Sequence, residues 1–482
     1  MYQQENHSSH SPTSSSDRSC SVGRVVCTQT HEVTCQDRYK IYGTVFIPLD
    51  QDSEGKFCQT HISETAILMA PAMGIPCRFY KDFCTFICEE IGCIVMTFDY
   101  RGCFSSGLRV NAVVADNSNM DHNKKASADE EKKILYDIQN KYISIRNWGL
   151  LDVTAIMNFL ESTPLHKLLL TSSDSTTKVL PKIVKSSEMH NKQGSENNKS
   201  VIQQEEQLTQ YLTHLEQQQY SSPILPIDNF LYIAHSIGGQ ILAHIPSLYL
   251  QKFIGTVWVG TQSGLMTHWP WITPRIFMFF YWYVYLPMMV RMYPLITPPV
   301  YVANKLVRDW YSAGHCRRNY IFEYCGIEEP PKNPQHPAWA LQKIPMVSYV
   351  IEGDNFAPLQ SAMWIFRSLS DPKFVSFTDQ QHLNTDNSRI PKTINVTLKK
   401  DSNTQQDDHV QPLTCPNEKR MYYIHGEIAK KVGHFNFFKR KDGRDECWPH
   451  ILTIVKQMME NHDSQKKQKT LMEFTDPRPS KL

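Results

Sequence analysis

The chain has 482 residues, with 50 Lys and Arg against 48 Asp and Glu, a formal net charge of +2. That balance excludes the basic excess that accompanies nucleic-acid binding, and aromatic residues at 11% exclude disorder throughout. Hydrophobic residues at 41% are sparse for one compact chain, a sign that polar insertions dilute a well-formed core.

Residues 1–23, rich in Ser, His and Gln, read as a disordered tail without the apolar stretch of a secretory signal. The 13 cysteines are odd in number and lack a short disulfide-type spacing, which fits reduced thiols in a cytosolic-type compartment. Cys84 and Cys88 lie one helical turn apart with no CxxC or HExxH string beside them. They read as core residues rather than metal ligands.

Residues 24–30 and 38–47 form a leading antiparallel hairpin in this reading. AILMA at 66–70 is a buried strand, followed by a helix near 79–91 and a strand at 93–98. Residues 109–145, 166–223 and 379–418 are low-complexity polar insertions, and 203–219 would be a polar, solvated helix. WGLLDVTAIMNFL at 148–160 is an amphipathic helix. NFLYIA at 229–234 is a strand that enters a turn at His235–Gly239 and then a helix through ILAHIPSLYL, with further strands at 253–260 and 346–351. Continuous apolar strands alternating with helices predict an α/β architecture, a mostly parallel sheet flanked by helices. Residues 24–460 thus form a single domain, and 461–482 form a flexible tail.

Ala234-His235-Ser236-Ile237-Gly238 sits between a buried strand and a helix, the setting of a nucleophile elbow. Small residues two places either side of Ser236 admit the sharp turn that exposes its Oγ. Cys103-Phe104-Ser105-Ser106-Gly107 has a similar pattern, but no periodic helix follows it. A nucleophilic serine needs a base and an orienting acid, in the order Ser, Asp, His. Asp354 follows the strand MVSYVI on a strand-end loop fixed by Pro358, with Glu352 its competitor. His434 in VGHFNFF, before a terminal helix containing Trp448, is the candidate base, with His425 as rival. Backbone N–H groups of Ile237 and Met73, the latter in the turn after the 66–70 strand, are the expected oxyanion donors.

The strings PAMGIPCRFY, FDYRG, WGLLDV, AHSIGGQ, EGDNFAP and VGHFNFF occur in this order. Together they resemble the predicted α/β-hydrolase family of the serine aminopeptidase-like group, best known from bacterial proteins of unassigned substrate. The resemblance covers most of the chain outside the insertions. It implies the α/β-hydrolase fold with an eight-stranded sheet, a helical cap inserted before the acid strand at about 262–330, and a triad of Ser236, Asp354 and His434. Ala234 for the usual Gly and Asn436 where a Gly is common are departures that remove no catalytic atom.

The cap contains WPW at 269–271 and IFMFFYWYVYLPMMV at 276–290. That 15-residue run is interrupted by Pro287 and is too short to span a bilayer, so it reads as a pocket-lining cap helix with weak interfacial membrane contact as a secondary role. Within residues 262–322, Arg275, Arg291, Lys305, Arg308, Arg317 and Arg318 face a single acid, Asp309. An aminopeptidase would need carboxylates to hold the substrate's ammonium group. A small-molecule ester or thioester of an apolar acyl group fits better, cleaved through an acyl-enzyme with no cofactor. The rival class is a non-catalytic α/β-hydrolase scaffold that binds partners through its inserts. Ser480-Lys481-Leu482 matches the address read by the peroxisomal import receptor, which gives a peroxisomal matrix expectation and otherwise a cytoplasmic one.

Overall fold

The computed structural model describes residues 23–51, 62–113, 127–169, 182–184, 210, 227–265, 268–269, 280–297, 302–314, 341, 343–370, 419–424, 426–439, 443–444 and 447–475. Its strands are β1 (Gly23–Thr34), β2 (Lys40–Gln51), β3 (Thr65–Ala70), β4 (Val95–Asp99), β5 (Lys182–Val184), β6 (Asn229–His235), β7 (Phe253–Val259), β8 (Ile296–Thr297), β9 (Val302–Ala303), β10 (Met346–Ile351) and β11 (Lys419–Ile424). Nine of them form one sheet in the order β11-β10-β7-β6-β3-β4-β2-β1-β5, and β8 and β9 pair separately. From β4 to β11 the neighbours are parallel, while β1, β2 and β5 add the antiparallel end.

The buried strands explain why the sequence shows apolar runs rather than alternation. Ala66, Leu68 and Ala70 of β3 and Phe230, Tyr232 and Ala234 of β6 face one core layer. Ile67 and Met69, with Leu231 and Ile233, face the other. Side chains alternate across a sheet with period two, so a strand covered on both faces must be apolar at every position. The first layer holds Trp148 and the helix Thr154–Ser162, and the second holds the helices Lys81–Ile91 and Trp448–Thr475. Cys84 and Cys88 lie fully buried in the second layer, as expected.

Two strings that carry the resemblance turn out to hold each other. Arg101 Nε lies 2.6 Å from Asp152 Oδ1, and both side chains are fully buried. The Arg101 N–H donates to Asp152 Oδ2 at 2.9 Å, and Trp148 Nε1 donates to the Arg101 carbonyl at 3.1 Å. Asp37 completes the pairing from the surface side, 2.6 Å from Arg101 Nη1. FDYRG and WGLLDV thus join the end of β4 to the helix that covers the sheet.

Several expectations need correction. Residues 128–142, grouped with the polar insertions, form a helix whose Ser127 and Glu130 make a capping box. Its Gln139 is buried and donates to the Pro294 carbonyl of the cap. The 166–223 insertion supplies β5, a short ninth strand paired with Val26–Thr28. The helix expected through 241–250 breaks at Ile245-Pro246, since proline cannot continue a helical turn. The helix expected at 148–160 opens with a wide turn over Trp148–Val153. The last helix runs to Thr475, past residue 460 where a tail was expected. Residues 1–22, nearly all of 203–219, His425 and Ser480-Lys481-Leu482 lie outside the described residues.

Candidate active site

Ser236 follows β6 directly, with φ 54° and ψ −118°. A non-glycine residue in this region is strained, and strain held by surrounding structure is characteristic of a nucleophile elbow. What holds it is visible. The Ser236 N–H donates to the Val259 carbonyl at 2.9 Å, and the helix Ile237–Ile241 starts at once. A Cβ at Gly238 would meet the Ala70 carbonyl oxygen at 2.7 Å, so this position must be glycine for the turn to sit against β3.

Asp354 and His434, 80 residues apart in sequence, come together. Nδ1 of His434 lies 2.7 Å from Oδ2 of Asp354, and both residues are buried. Since the carboxylate only accepts, Nδ1 carries the proton and Nε2 is left as the basic nitrogen. The second oxygen, Oδ1, accepts from the N–H groups of Phe356 and Ala357 at 2.8 and 3.0 Å. The Asp354 carboxylate is therefore held by the loop at the end of β10. Its competitor Glu352 is exposed.

His434 lies within Gly426–Asn436, a helical segment kinked at Gly433, where φ is 45° and ψ is −165°. The kink lies just before His434. Phe356, half exposed, packs at 5.3 Å centroid separation from the His434 ring, and Phe435 at 4.8 Å. Gly260, at φ 58° after β7, passes so near that an added Cβ would lie 3.0 Å from His434 Nδ1.

The candidate oxyanion donors lie on two adjacent strand ends, Met73 after β3 and Ile237 after β6, with Ala70 and Ala234 in register. Ile237 opens its helix, where first-turn N–H groups have no intrahelical acceptor. The Ala72 N–H is taken by Tyr80 Oη at 2.9 Å, which leaves Met73 as the next donor on the turn.

Sequence reasoning gave no role to Tyr80, His235, Gly260 or Phe356. His235 lies inside the elbow string, and Tyr80 and Phe356 lie inside PAMGIPCRFY and EGDNFAP. The cap enters through Trp269, which is buried and donates from Nε1 to the Asn355 carbonyl beside the acid. Among the described residues, no helix is long and apolar enough to cross a membrane.

No family model and no curated relative matches this sequence. Solved structures that are similar include a hydrolase from Oleispira antarctica, at 10% identity and TM-score 0.34, covering 82% of this chain and 92% of that one. A hyperthermophilic esterase from Pyrobaculum calidifontis shows 11% identity and TM-score 0.34, over 90% and 83% of the two chains. Proline iminopeptidase of Mycobacterium smegmatis shows 11% identity and TM-score 0.33, over 89% and 98%. The fold is defined by this chain's own strand order, by the strained serine between β6 and a helix, and by the order Ser236, Asp354, His434. The chain has the α/β-hydrolase fold.

Proposed function

We propose that the protein hydrolyses a carboxylic ester or thioester of an apolar acyl group. The observation that carries this reading is the 2.7 Å bond between His434 Nδ1 and Asp354 Oδ2, made at the same sheet edge as the strained Ser236. Ser236 Oγ attacks the acyl carbonyl carbon and passes its proton to His434 Nε2. Asp354 keeps the imidazole in the tautomer with Nε2 free and stabilises the imidazolium that forms. The N–H groups of Ile237 and Met73 hold the oxyanion. His434 then delivers the proton to the leaving oxygen or sulfur. A water molecule, deprotonated by the same histidine, releases the acid from the acyl-enzyme.

The cap supports an apolar substrate over a peptide. Asp309, its one acid among residues 262–322, is buried and paired with Lys305, so it is committed elsewhere than to a substrate ammonium. Phe280, Val284, Met288 and Met292 of the cap are each more than two-fifths exposed. In this proposal they meet a lipid surface from which the substrate is drawn.

A fluorophosphonate probe tests the assignment. The wild-type chain should be labelled covalently and Ser236→Ala should not. Equal labelling of both would place the reactive group elsewhere, and no labelling of either would favour a non-catalytic scaffold.

A further inference from the structure

His235 stands between the three parts of the proposed catalytic apparatus. Its ring is fully buried, one residue before the nucleophile. Nε2 lies 2.8 Å from the backbone carbonyl of His434, and Nδ1 lies 2.8 Å from Tyr80 Oη. Tyr80 Oη in turn accepts from the Ala72 N–H at 2.9 Å. The direction of every link follows from chemistry. A carbonyl oxygen only accepts, so Nε2 must carry the proton. Nδ1 is then bare and accepts from the tyrosine hydroxyl, whose oxygen accepts from Ala72. One protonation state satisfies the whole chain.

The chain spans elements far apart in sequence. Ala72 lies on the oxyanion turn beside Met73, His235 on the elbow, and His434 just past the kink at Gly433. The His434 carbonyl lies just past that kink, and His235 Nε2 donates to it. The Tyr80, His235 and Phe438 rings pack mutually at centroid separations of 5.1 to 5.9 Å, so neither polar side chain has room to turn away.

We propose that His235 is a positioning residue that fixes the oxyanion turn, the nucleophile and the base in one frame through its Nε2–H tautomer. Burial, and secondarily the adjacent His434, holds the His235 ring well below the usual imidazole range. It therefore stays neutral when His434 becomes an imidazolium during turnover. A protonated His235 would drive a proton at Tyr80 Oη and place a second cation 5.0 Å from the catalytic ring.

The inference rests on the hydrolase reading of Ser236, so the test separates the two. Wild-type labelling by a fluorophosphonate establishes that reading, and if the wild type does not label, both fail. Given wild-type labelling, His235→Phe keeps the ring but removes both hydrogen bonds. It should lower kcat on a p-nitrophenyl ester by about 10²-fold with KM unchanged, the effect of a small misplacement of reacting groups. His235→Gln, whose amide N–H reaches toward the Nε2 position, should recover to within about tenfold of wild type. Tyr80→Phe removes the hydroxyl's bonds to Ala72 and to His235 Nδ1 while leaving the His235–His434 bond, and should cost about tenfold in kcat. Should His235→Phe fail to fold, Tyr80→Phe and His235→Gln still decide the matter. Wild-type rates in Tyr80→Phe, a His235→Gln no faster than His235→Phe, or a loss carried by KM would each overturn the proposal.

Discussion

Gly260 and His434 are in near contact across the site. A Cβ at Gly260 would lie 3.0 Å from Nδ1 and 3.1 Å from Cε1 of the ring, and 3.5 Å from Oδ2 of Asp354. The end of β7 therefore forms a backbone wall behind the acid–base pair. Any side chain there pushes on the hydrogen bond that orients the imidazole.

Gly260→Ala should lose kcat by about 10²-fold through that displacement. It should also lose roughly 1 to 2 kcal/mol of stability, because φ is positive at this position. Gly353→Ala is the comparison. Its φ of 71° carries the same strain, yet nothing lies within 4 Å of its Cβ. Ester turnover and thermal melting of the two variants separate contact from strain. Equal kcat in both would show that the wall does not matter.

Asp354→Asn should lower kcat by about 10⁴-fold. An amide N–H facing His434 Nδ1 would force the opposite tautomer and leave Nε2 protonated. The fold should hold, because the amide oxygen can still accept from the Phe356 and Ala357 N–H groups as Oδ1 does now. Melting and single-turnover kinetics check both halves. Turnover within tenfold of wild type would mean that another acid orients the base.

How much of this could be read from the chain depends on where the information sits. The sheet strands were legible because burial on both faces leaves an unbroken apolar run, as in β3 and β6. The elbow was legible because a strained serine demands small neighbours at fixed offsets. Asp354 and His434 were legible as candidates through their order after Ser236 and their places, one on a strand-end loop and the other before the last helix. Tyr80 and Gly260 were not, since a tyrosine 155 residues from its partner His235 leaves no local pattern. The helix 128–142 was missed for a different reason. Its Ser127–Glu130 capping box is plain in sequence, but among its buried residues it hides only Ile138 and Gln139, and a helix so polar reads as solvated insertion.

Asp152→Ala should destabilise the fold by about 3 to 5 kcal/mol, because it leaves the buried Arg101 guanidinium short of its main partner. Asp37→Ala should cost less, since that carboxylate is about a quarter exposed and water can replace it. Urea midpoints rank the two. A larger loss from Asp37 would show that Asp152 is not the dominant counter-charge.

Three buried histidines should weaken the fold in mild acid, against the opposite pull of buried Asp99 and Asp152, whose carboxyl pKa values burial raises. Burial, and secondarily Arg146, lowers the His244 pKa to about 4, and burial lowers that of His268 to about 4. His235 is lowered for the same first reason. The unfolded chain takes up these protons near pH 6.5 while the folded chain resists, so the unfolded state binds more protons and stability rises with pH in this window. The stability is present above about pH 6.5 and is lost as pH falls toward 4. His244 alone contributes about 3 kcal/mol on this reckoning. Urea midpoints from pH 7 to pH 4.5 should decline, and His244→Gln should flatten the slope. A His244→Gln curve that parallels the wild type would falsify the argument.

The last prediction concerns the cap. Phe280, Val284, Met288 and Met292 are 58%, 52%, 45% and 59% exposed, within a stretch of 13 residues on one wide helical turn and the helix that follows it. Large apolar groups so exposed and so close in sequence mark a binding surface more often than they occur by accident. Exposed Tyr283, Tyr285 and Tyr293 flank them, side chains that favour the boundary between headgroups and acyl chains. Arg291 is exposed on the same helix and adds attraction to anionic lipid. The protein should therefore cosediment with vesicles, more strongly when these carry phosphatidylserine. A Val284→Glu, Met288→Glu double variant should bind at least tenfold less tightly, because two carboxylates would have to leave water on docking. Its turnover of a soluble p-nitrophenyl ester should match wild type, while turnover of the same acyl group presented in vesicles should fall. If the double variant binds vesicles as the wild type does, lipid contact is made elsewhere or not at all. A loss on the soluble ester as well would mean that these side chains serve the active site rather than the membrane surface.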